Sequence, residues 1–217
     1  MNEAGLFAAD VGGQIVFLNV ARNRYLAVAR EILAPFLVQE DERERFTPAE
    51  IDRAATTLRQ VGWPSACVQS APLPLTSHIQ ATRSLELSPL KPTRLANPRA
   101  ALSLLRAARR LERNQLAEIV GSRLAHRSKI ACSTSPARVI ERSHAFAAWR
   151  PLASDKDRCL CDSLALSMYL GRDGKDVDWV FGVSAPFFLA HCWLQMGDLV
   201  LNDSIEHTRQ YTPIMIV

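Results

Sequence analysis

The stretch RCLCDSLAL, residues 158–166, decides how the C-terminal part of this chain is interpreted. Its leucines recur four residues apart and predict a helix over residues 158–169, capped by Asp155 or Asp157 and ended by a glycine. Cys159 then lies in the first turn, where backbone N–H groups without acceptors and the positive end of the helix dipole lower the pKa of a thiol. The stretch therefore indicates a nucleophilic cysteine at a helix N-terminus.

Strand signals follow this helix at residues 179–183, 187–196 and 199–202. On the second of these, His191 and Trp193 share one face, and Cys192 points to the other. The last two strands are expected to form a hairpin.

The register of that hairpin decides where Asp203 lies. A two-residue loop pairs Met196 with Leu199 and puts Asp203 opposite Cys192, on the wrong face from His191. A loop with an odd number of residues puts Asp203 directly opposite His191. We expect only the second register to let the carboxylate orient the imidazole.

Cys159, His191 and Asp203 together are a nucleophile, a base and an orienting group. Two other interpretations of these residues stay open. Cys159 is a packing residue in the first. In the second, a metal is bound by Cys159, Cys161, His191 and Cys192, although the spacings are not those of zinc sites. The other histidines, which have no matching partners, are expected at the surface: His78, His126, His144 and His207.

Composition limits the class of protein. The chain has 217 residues, 48% of them hydrophobic, and a net charge of +4, which excludes disorder and suits one or two globular domains. We find no apolar run long enough to span a membrane and no secretory signal, so we expect a cytoplasmic protein without a membrane partner. Five cysteines suit reduced thiols: Cys67, Cys132, Cys159, Cys161 and Cys192.

Charge divides the chain into three. Residues 1–70 carry −2, residues 71–150 carry +10 and residues 151–217 carry −4. The proline-rich stretch 71–98 is linker-like, and amphipathic helices are expected at 98–111 and 115–124. Their apolar stripe is expected to face the core: Leu102, Leu105, Leu111, Leu116, Ile119 and Val120. Interleaved arginines make the middle part a candidate surface for an acidic partner: Arg106, Arg109, Arg110 and Arg113.

The sequence of residues 1–70 predicts three strands followed by helices. The strands are expected at 6–11, 14–20 and 24–29, and Thr47 and Glu50 form a capping box for a helix that ends at Gly62. This order is that of a winged-helix-like module. The negative charge of the segment argues against nucleic acid, so an exposed strand edge beside a helix favours a peptide ligand.

The C-terminal motifs resemble the peptidase region of lasso-peptide biosynthesis B proteins, which has a transglutaminase-like, papain-like cysteine-protease fold. The resemblance is carried by residues 158–166, Phe181-Gly182-Val183, Pro186-Phe187, 190–193 and 201–203. It implies a catalytic triad of Cys159, His191 and Asp203, with no metal. Asp162 and Cys192 depart from the family pattern, and neither is expected to touch the triad.

The N-terminal segment resembles the small precursor-recognition element of the same family, which is related to the quinone-cofactor chaperones. The overall expectation is an α+β chain. Residues 1–70 form the winged-helix-like leader-binding module, and residues 71–217 form the peptidase domain, with a basic helical part at 99–150 and a catalytic core at 151–217. The leader peptide is expected along the third strand and against the following helix, at Tyr25, Leu26, Ala27, Val28, Leu58 and Val61.

The resemblance implies a maturation protease that removes the leader from a ribosomally made precursor. An asparagine-synthetase-like cyclase would then close the ring. Family activity is ATP-dependent, yet the chain has no Gly-rich phosphate loop, so we expect no cofactor of its own. The alternatives are an acyltransferase of transglutaminase type and a non-catalytic leader-binding protein.

Overall fold

The computed structural model describes residues 5–64, 72–86, 98–129, 135–147, 158–174 and 176–217. Two compact units are present. One comprises the described residues within 1–77, 183–189 and 212–215, and the other those within 78–182, 190–211 and 216–217. The predicted helix caps Asp155 and Asp157, the thiols of Cys67 and Cys132, the side chain of His126 and the boundary at residue 70 lie outside the described residues.

The first unit contains an antiparallel sheet of three strands in the order β1-β2-β3. Gly12 and Gly13 make the first turn with φ of +57° and +84°, a conformation that favours glycine. Asn23, with φ of 45°, occupies the left-handed region in the second turn, as its residue type predicts. The three predicted strands are confirmed: β1 Leu6–Val11, β2 Gln14–Asn19 and β3 Arg24–Ala29.

One long helix, α2 (Pro48–Gln60), follows the single helical turn α1 (Arg30–Leu33) in this unit. The predicted capping box is confirmed, because the Thr47 side chain accepts from the Glu50 N–H and the Glu50 carboxylate accepts from the Thr47 N–H. Buried residues of the sheet and of α2 form one apolar core, in which Phe17 packs edge-on against Trp63. Identification of this unit as a winged-helix-like recognition module stays a prediction.

From residue 72 onward, the described chain contains five helices and a five-stranded sheet. The sheet has the strand order β4-β7-β6-β5-β8. Its strands are β4 Arg83–Ser84, β5 Asp178–Ser184, β6 Leu189–Met196, β7 Leu199–Val200 and β8 Thr212–Ile216. The helices are α3 Pro98–Arg113, α4 Leu116–Lys129, α5 Pro136–Ala147, α6 Arg158–Leu170 and α7 Ile205–Thr208.

The buried face of α3 differs from the predicted one. Leu102 and Leu105 are 43% and 58% exposed, whereas the buried face consists of Ala100, Ser103, Leu104 and Ala107. Helix α3 packs along α6 through this second face. Small side chains let two helices approach closely, so tight packing with α6 outweighs burial of the two leucines. The expectation that Leu102 and Leu105 face the core was therefore wrong.

The C-terminal end of α6 is held by Arg142 of α5. Its guanidinium donates to the backbone carbonyls of Tyr169 and Leu170, which have no acceptor role within the helix, and it stacks 4.7 Å from the Tyr169 ring. The helix is thus anchored at the end opposite Cys159. In the described part of the chain, the helices are too short or too polar to cross a bilayer.

Candidate active site

Cys159 is the second residue of α6, as predicted, and its thiol is half-buried. The pKa of this thiol falls to about 4. The largest cause is a hydrogen bond from the thiol of Cys192, and burial opposes it; a hydrogen bond from His191 and the charge of its imidazolium lower the pKa further. Neighbouring side chains therefore stabilise the thiolate: His191, whose role as the base the sequence predicted, and Cys192, which the sequence analysis did not place at the site.

His191 is the third residue of β6 and stacks on Trp193, with ring centroids 6.0 Å apart. Burial lowers the pKa of its imidazole, but hydrogen bonds to Asp203 and Cys159 outweigh that effect and raise it to about 9. With the Cys159 pKa near 4, the two side chains form a thiolate–imidazolium pair between these values.

Asp203 accepts a hydrogen bond from His191, with Nε2 and Oδ2 2.5 Å apart, but the hairpin register is not the one expected to allow this. Met196 pairs with Leu199 and Gln195 with Val200, which is the two-residue loop. The expectation that this register separates Asp203 from His191 was wrong. It assumed that β7 continues to Asp203, whereas the strand ends at Val200 and the chain bends over 201–203.

A buried amide causes that bend. The Asn202 side chain accepts from the backbone N–H of Leu194 at 2.7 Å, while the Leu201 N–H still donates to the Leu194 carbonyl at 2.9 Å. The side-chain amide thus takes the place of one of the two backbone hydrogen bonds in the next pair of the hairpin. Its Nδ2 donates to Asp162 at 3.1 Å and to Ser163 at 2.9 Å, both on α6. Asn202 therefore ties the helix that carries Cys159 to the strand that carries His191, and it releases Asp203 from the sheet.

His207 belongs to the site, although the sequence analysis placed it at the surface. Its Nδ1 lies 2.9 Å from Asp203 Oδ2, and because a carboxylate only accepts, this nitrogen donates. Its Nε2 lies 3.5 Å from the Tyr211 hydroxyl oxygen, and the centroids of the His191 and His207 rings are 4.5 Å apart. The signal in the sequence is the spacing of Asp203 and His207, four residues apart across the turn α7.

Cys192 touches the nucleophile, which the sequence analysis did not expect. Alternation along β6 does point the Cys192 side chain away from the His191 side chain. However, helix α6 packs against the face of β6 that carries Cys192, since the Ser163 hydroxyl donates to the Cys192 carbonyl at 3.3 Å. Cys159 lies at the start of α6 and so contacts both residues.

Gly182 of β5 has no side chain, which lets Tyr211 and Trp193 pack closely against the strand beside His191. A Cβ at this position would lie 2.8 Å from Tyr211 Cβ and 2.9 Å from Trp193 Cζ3. Such contacts force neighbouring groups to move. A glycine in the motif 181–183 therefore has a packing role next to the site.

We predict opposite effects on stability for two glycine substitutions. Gly182→Ala should lower the free energy of unfolding by about 1–3 kcal/mol through overpacking. Gly121→Ala, at an exposed position of helix α4 with nothing within 4 Å of the new Cβ, should raise the free energy of unfolding by about 0.5–1 kcal/mol. Midpoints of urea unfolding measure both. Equal midpoints for Gly182→Ala and the wild type would contradict the packing argument.

Among the described residues, His191, Asp203 and His207 are a group whose ligand atoms lie close enough to hold a metal ion, within 4.8 Å of one another. This set differs from the one weighed in the sequence analysis. The Asp203 oxygen that faces both rings is already engaged by two hydrogen bonds. The site needs no ion to explain its geometry.

The leader-binding residues expected from sequence fall into two groups. The first group, Tyr25, Leu26, Ala27 and Val28, lies on β3, which is an edge strand of the three-stranded sheet in the part of the chain that the structure describes. Leu58 and Val61 are 1% and 8% exposed and pack in the core with the undersides of Leu26 and Val28. Leu58 and Val61 therefore belong to the apolar core beneath the sheet and present little surface to a peptide.

A thiolate beside an imidazolium that is hydrogen-bonded to a carboxylate is the arrangement that cysteine-dependent catalysis uses. Comparison with protein families matches residues 100–216 to the transglutaminase-like superfamily, and the chain belongs to it. This superfamily generally contains cysteine-dependent enzymes. No curated protein and no solved structure matches the chain.

Proposed function

We propose that the chain is a cysteine peptidase that removes the leader from a lasso-peptide precursor. The contact of Cys159, His191 and Asp203 carries the peptidase part of this proposal. The Cys159 thiolate attacks the scissile carbonyl, and the first turn of α6 offers N–H groups to the developing oxyanion. His191 then protonates the leaving amine, and water hydrolyses the thioester.

The precursor as substrate rests on the sequence resemblance and on the free edge of β3. An extended leader can add to this edge as a fourth strand, with its side chains beside Tyr25 and Ala27. Tyr25 also contacts Phe188, at 5.1 Å between ring centroids. Phe187, Phe188 and Leu189 are 82%, 50% and 55% exposed. This apolar surface suits an extended peptide with apolar side chains.

The proposal is tested with the intact precursor peptide and mass spectrometry, with and without the cyclase and ATP. Wild type should release the leader at one position. Ala27→Pro removes a backbone donor from the edge of β3 and should weaken leader binding, while the matched exposed change Ala29→Ser should not. Unchanged leader affinity in Ala27→Pro would argue against binding at this edge.

Acyl transfer is the second candidate, because the same thioester reacts with an amine in place of water. The membership of a transglutaminase-like superfamily favours it. Product masses with an added primary amine separate the two: hydrolysis yields the free acid, and transfer yields the amide.

The cyclase is proposed to dock on the exposed face of α3, which presents Arg106, Arg109 and Arg113 beside Leu102 and Leu105. Arg110 instead points to Ser122 of α4. Reversal of the three exposed arginines to Glu should weaken cyclase capture, and unchanged capture would contradict this surface. We further propose that the protein acts inside the cell. Any ATP that maturation requires would be used by the cyclase.

His207 is expected to support catalysis through Asp203. A hydrogen bond to a charged group contributes about 1.5 kcal/mol or more, so His207→Ala should lower kcat about tenfold with little change in KM. His144→Ala, on helix α5, is the matched histidine control. Steady-state kinetics of precursor cleavage measure both. A rise in KM alone would contradict a positioning role for His207.

A further inference from the structure

Cys192 is buried beside the nucleophile, with 3% of its surface exposed. Its Sγ lies 3.9 Å from the Ser163 hydroxyl, and its carbonyl accepts from the same hydroxyl at 3.3 Å. Ser163 follows Cys159 by four residues on α6, so the two side chains share one face of that helix. Cys192 therefore lies against the face from which Cys159 projects.

The Cys192 side chain and its backbone N–H lie beside the sulfur of Cys159, because their interactions with it are among the causes that lower the pKa of Cys159. The mechanism above needs one thiol only. A second thiol beside a reactive thiolate is the arrangement found in redox-sensing cysteine pairs.

We propose that Cys159 and Cys192 are a redox modification site, in which Cys192 resolves the sulfenic acid that a hydroperoxide forms on Cys159. The Cys159 thiolate attacks the terminal peroxide oxygen and the O–O bond breaks; the leaving alkoxide or hydroxide takes a proton from the His191 imidazolium and departs as an alcohol or water. The Cys192 sulfur then attacks the Cys159 sulfur, the S–O bond breaks, and the released hydroxide takes the Cys192 proton to form water. The two cysteines lose two electrons in total, and the peroxide gains them.

The local charges fit this order of events. Burial, followed by its contacts with the Cys159 thiolate, raises the pKa of Cys192, so the pair holds a single negative charge on Cys159. Oxidation converts Cys159 to a neutral sulfenic acid and removes the charge that opposes ionisation of Cys192. The resolving thiol becomes a better nucleophile only after the first step.

Cys161 provides a contrast within the same helix. It follows Cys159 by two residues and so projects to another side of α6. Burial and the charge of Asp162 raise its pKa, which disfavours the reactive thiolate. We expect Cys161 to stay reduced while Cys159 and Cys192 join.

The test uses the reduced full-length chain, hydrogen peroxide and peptide mapping by mass spectrometry, without any peptide substrate. It is therefore independent of the proposed peptidase activity. Wild type should yield a peptide that joins Cys159 to Cys192, two hydrogen atoms lighter than its reduced parts, and dithiothreitol should restore both thiols. The control Cys161→Ser should form the same link.

Cys192→Ala should form no link, and its Cys159 should progress to sulfinic acid, which dithiothreitol does not reverse. The recovery of free Cys159 thiol after dithiothreitol should thus be lost in this variant and nearly complete in the wild type. A wild-type chain that reaches sulfinic acid without the Cys159–Cys192 link, or that links Cys159 to another cysteine, would overturn the proposal. The wild-type result alone decides this, even if Cys192→Ala folds poorly.

Discussion

Cys159→Ala is expected to abolish precursor cleavage, with a loss of at least ~10³-fold, because the residues of such a triad act as a unit and no other group replaces the nucleophile. Leader binding should be unchanged, since the β3 edge does not involve this thiol. Mass spectrometry of the intact precursor measures cleavage, and a fluorescence titration with leader peptide measures binding.

The matched control is Cys161→Ala, two residues along the same helix. Its thiol has a raised pKa, and we expect cleavage near the wild-type rate. If Cys159→Ala still cleaves and Cys161→Ala does not, the nucleophile is Cys161. If both variants and the wild type bind leader and none cleaves, the chain is a recognition protein.

The pH dependence of Cys159 alkylation should show the second large effect. Its pKa is lowered to about 4, so the thiolate is present above that pH and is lost as the pH falls through it. An ordinary thiol, with a pKa of about 8.5, has almost no thiolate at pH 6. Iodoacetamide should therefore modify Cys159 readily at pH 6, at a rate that falls only near pH 4.

His191→Ala should raise the pKa of Cys159 toward the ordinary value, because it removes a hydrogen bond and a positive charge. Alkylation at pH 5 should fall at least ~10-fold as the thiolate becomes the minor form. Cys192→Ala, which removes the largest single cause, should raise the pKa as well. Wild-type alkylation that follows an ordinary thiol would contradict the ion pair.

The pH dependence of precursor cleavage should also reflect the titration of His191. Its pKa is raised to about 9, so the imidazolium is present below that pH and is lost above it. Cleavage needs both the thiolate and the imidazolium, so kcat/KM should rise through pH 4 and decline through pH 9. A profile that keeps rising above pH 9 would show that His191 does not act as the acid.

Local patterns were sufficient for much of the architecture. The capping box at Thr47, the left-handed turn at Asn23 and the helix that begins at Arg158 all follow from interactions within a few residues. Such features depend on backbone preferences and near neighbours, which one segment of sequence contains. The faces of α3 were beyond this reasoning, because burial there depends on how closely α6 approaches.

The sequence alone determined which residue types form the candidate site and which elements carry them: a cysteine at a helix start, a histidine on a strand and an aspartate after the next strand. Only the tertiary structure decided how they meet. Asn202 replaces one backbone hydrogen bond in the last pair of the hairpin, and beyond it Asp203 reaches His191 in a register that alternation excludes. His207 joins the site because α7 brings it beside Asp203. Cys192 joins it because α6 places Cys159 beside the strand that carries Cys192. Side-chain hydrogen bonds between distant segments produce no periodic pattern in a sequence. In this protein, such bonds decide how the residues of the candidate site are arranged.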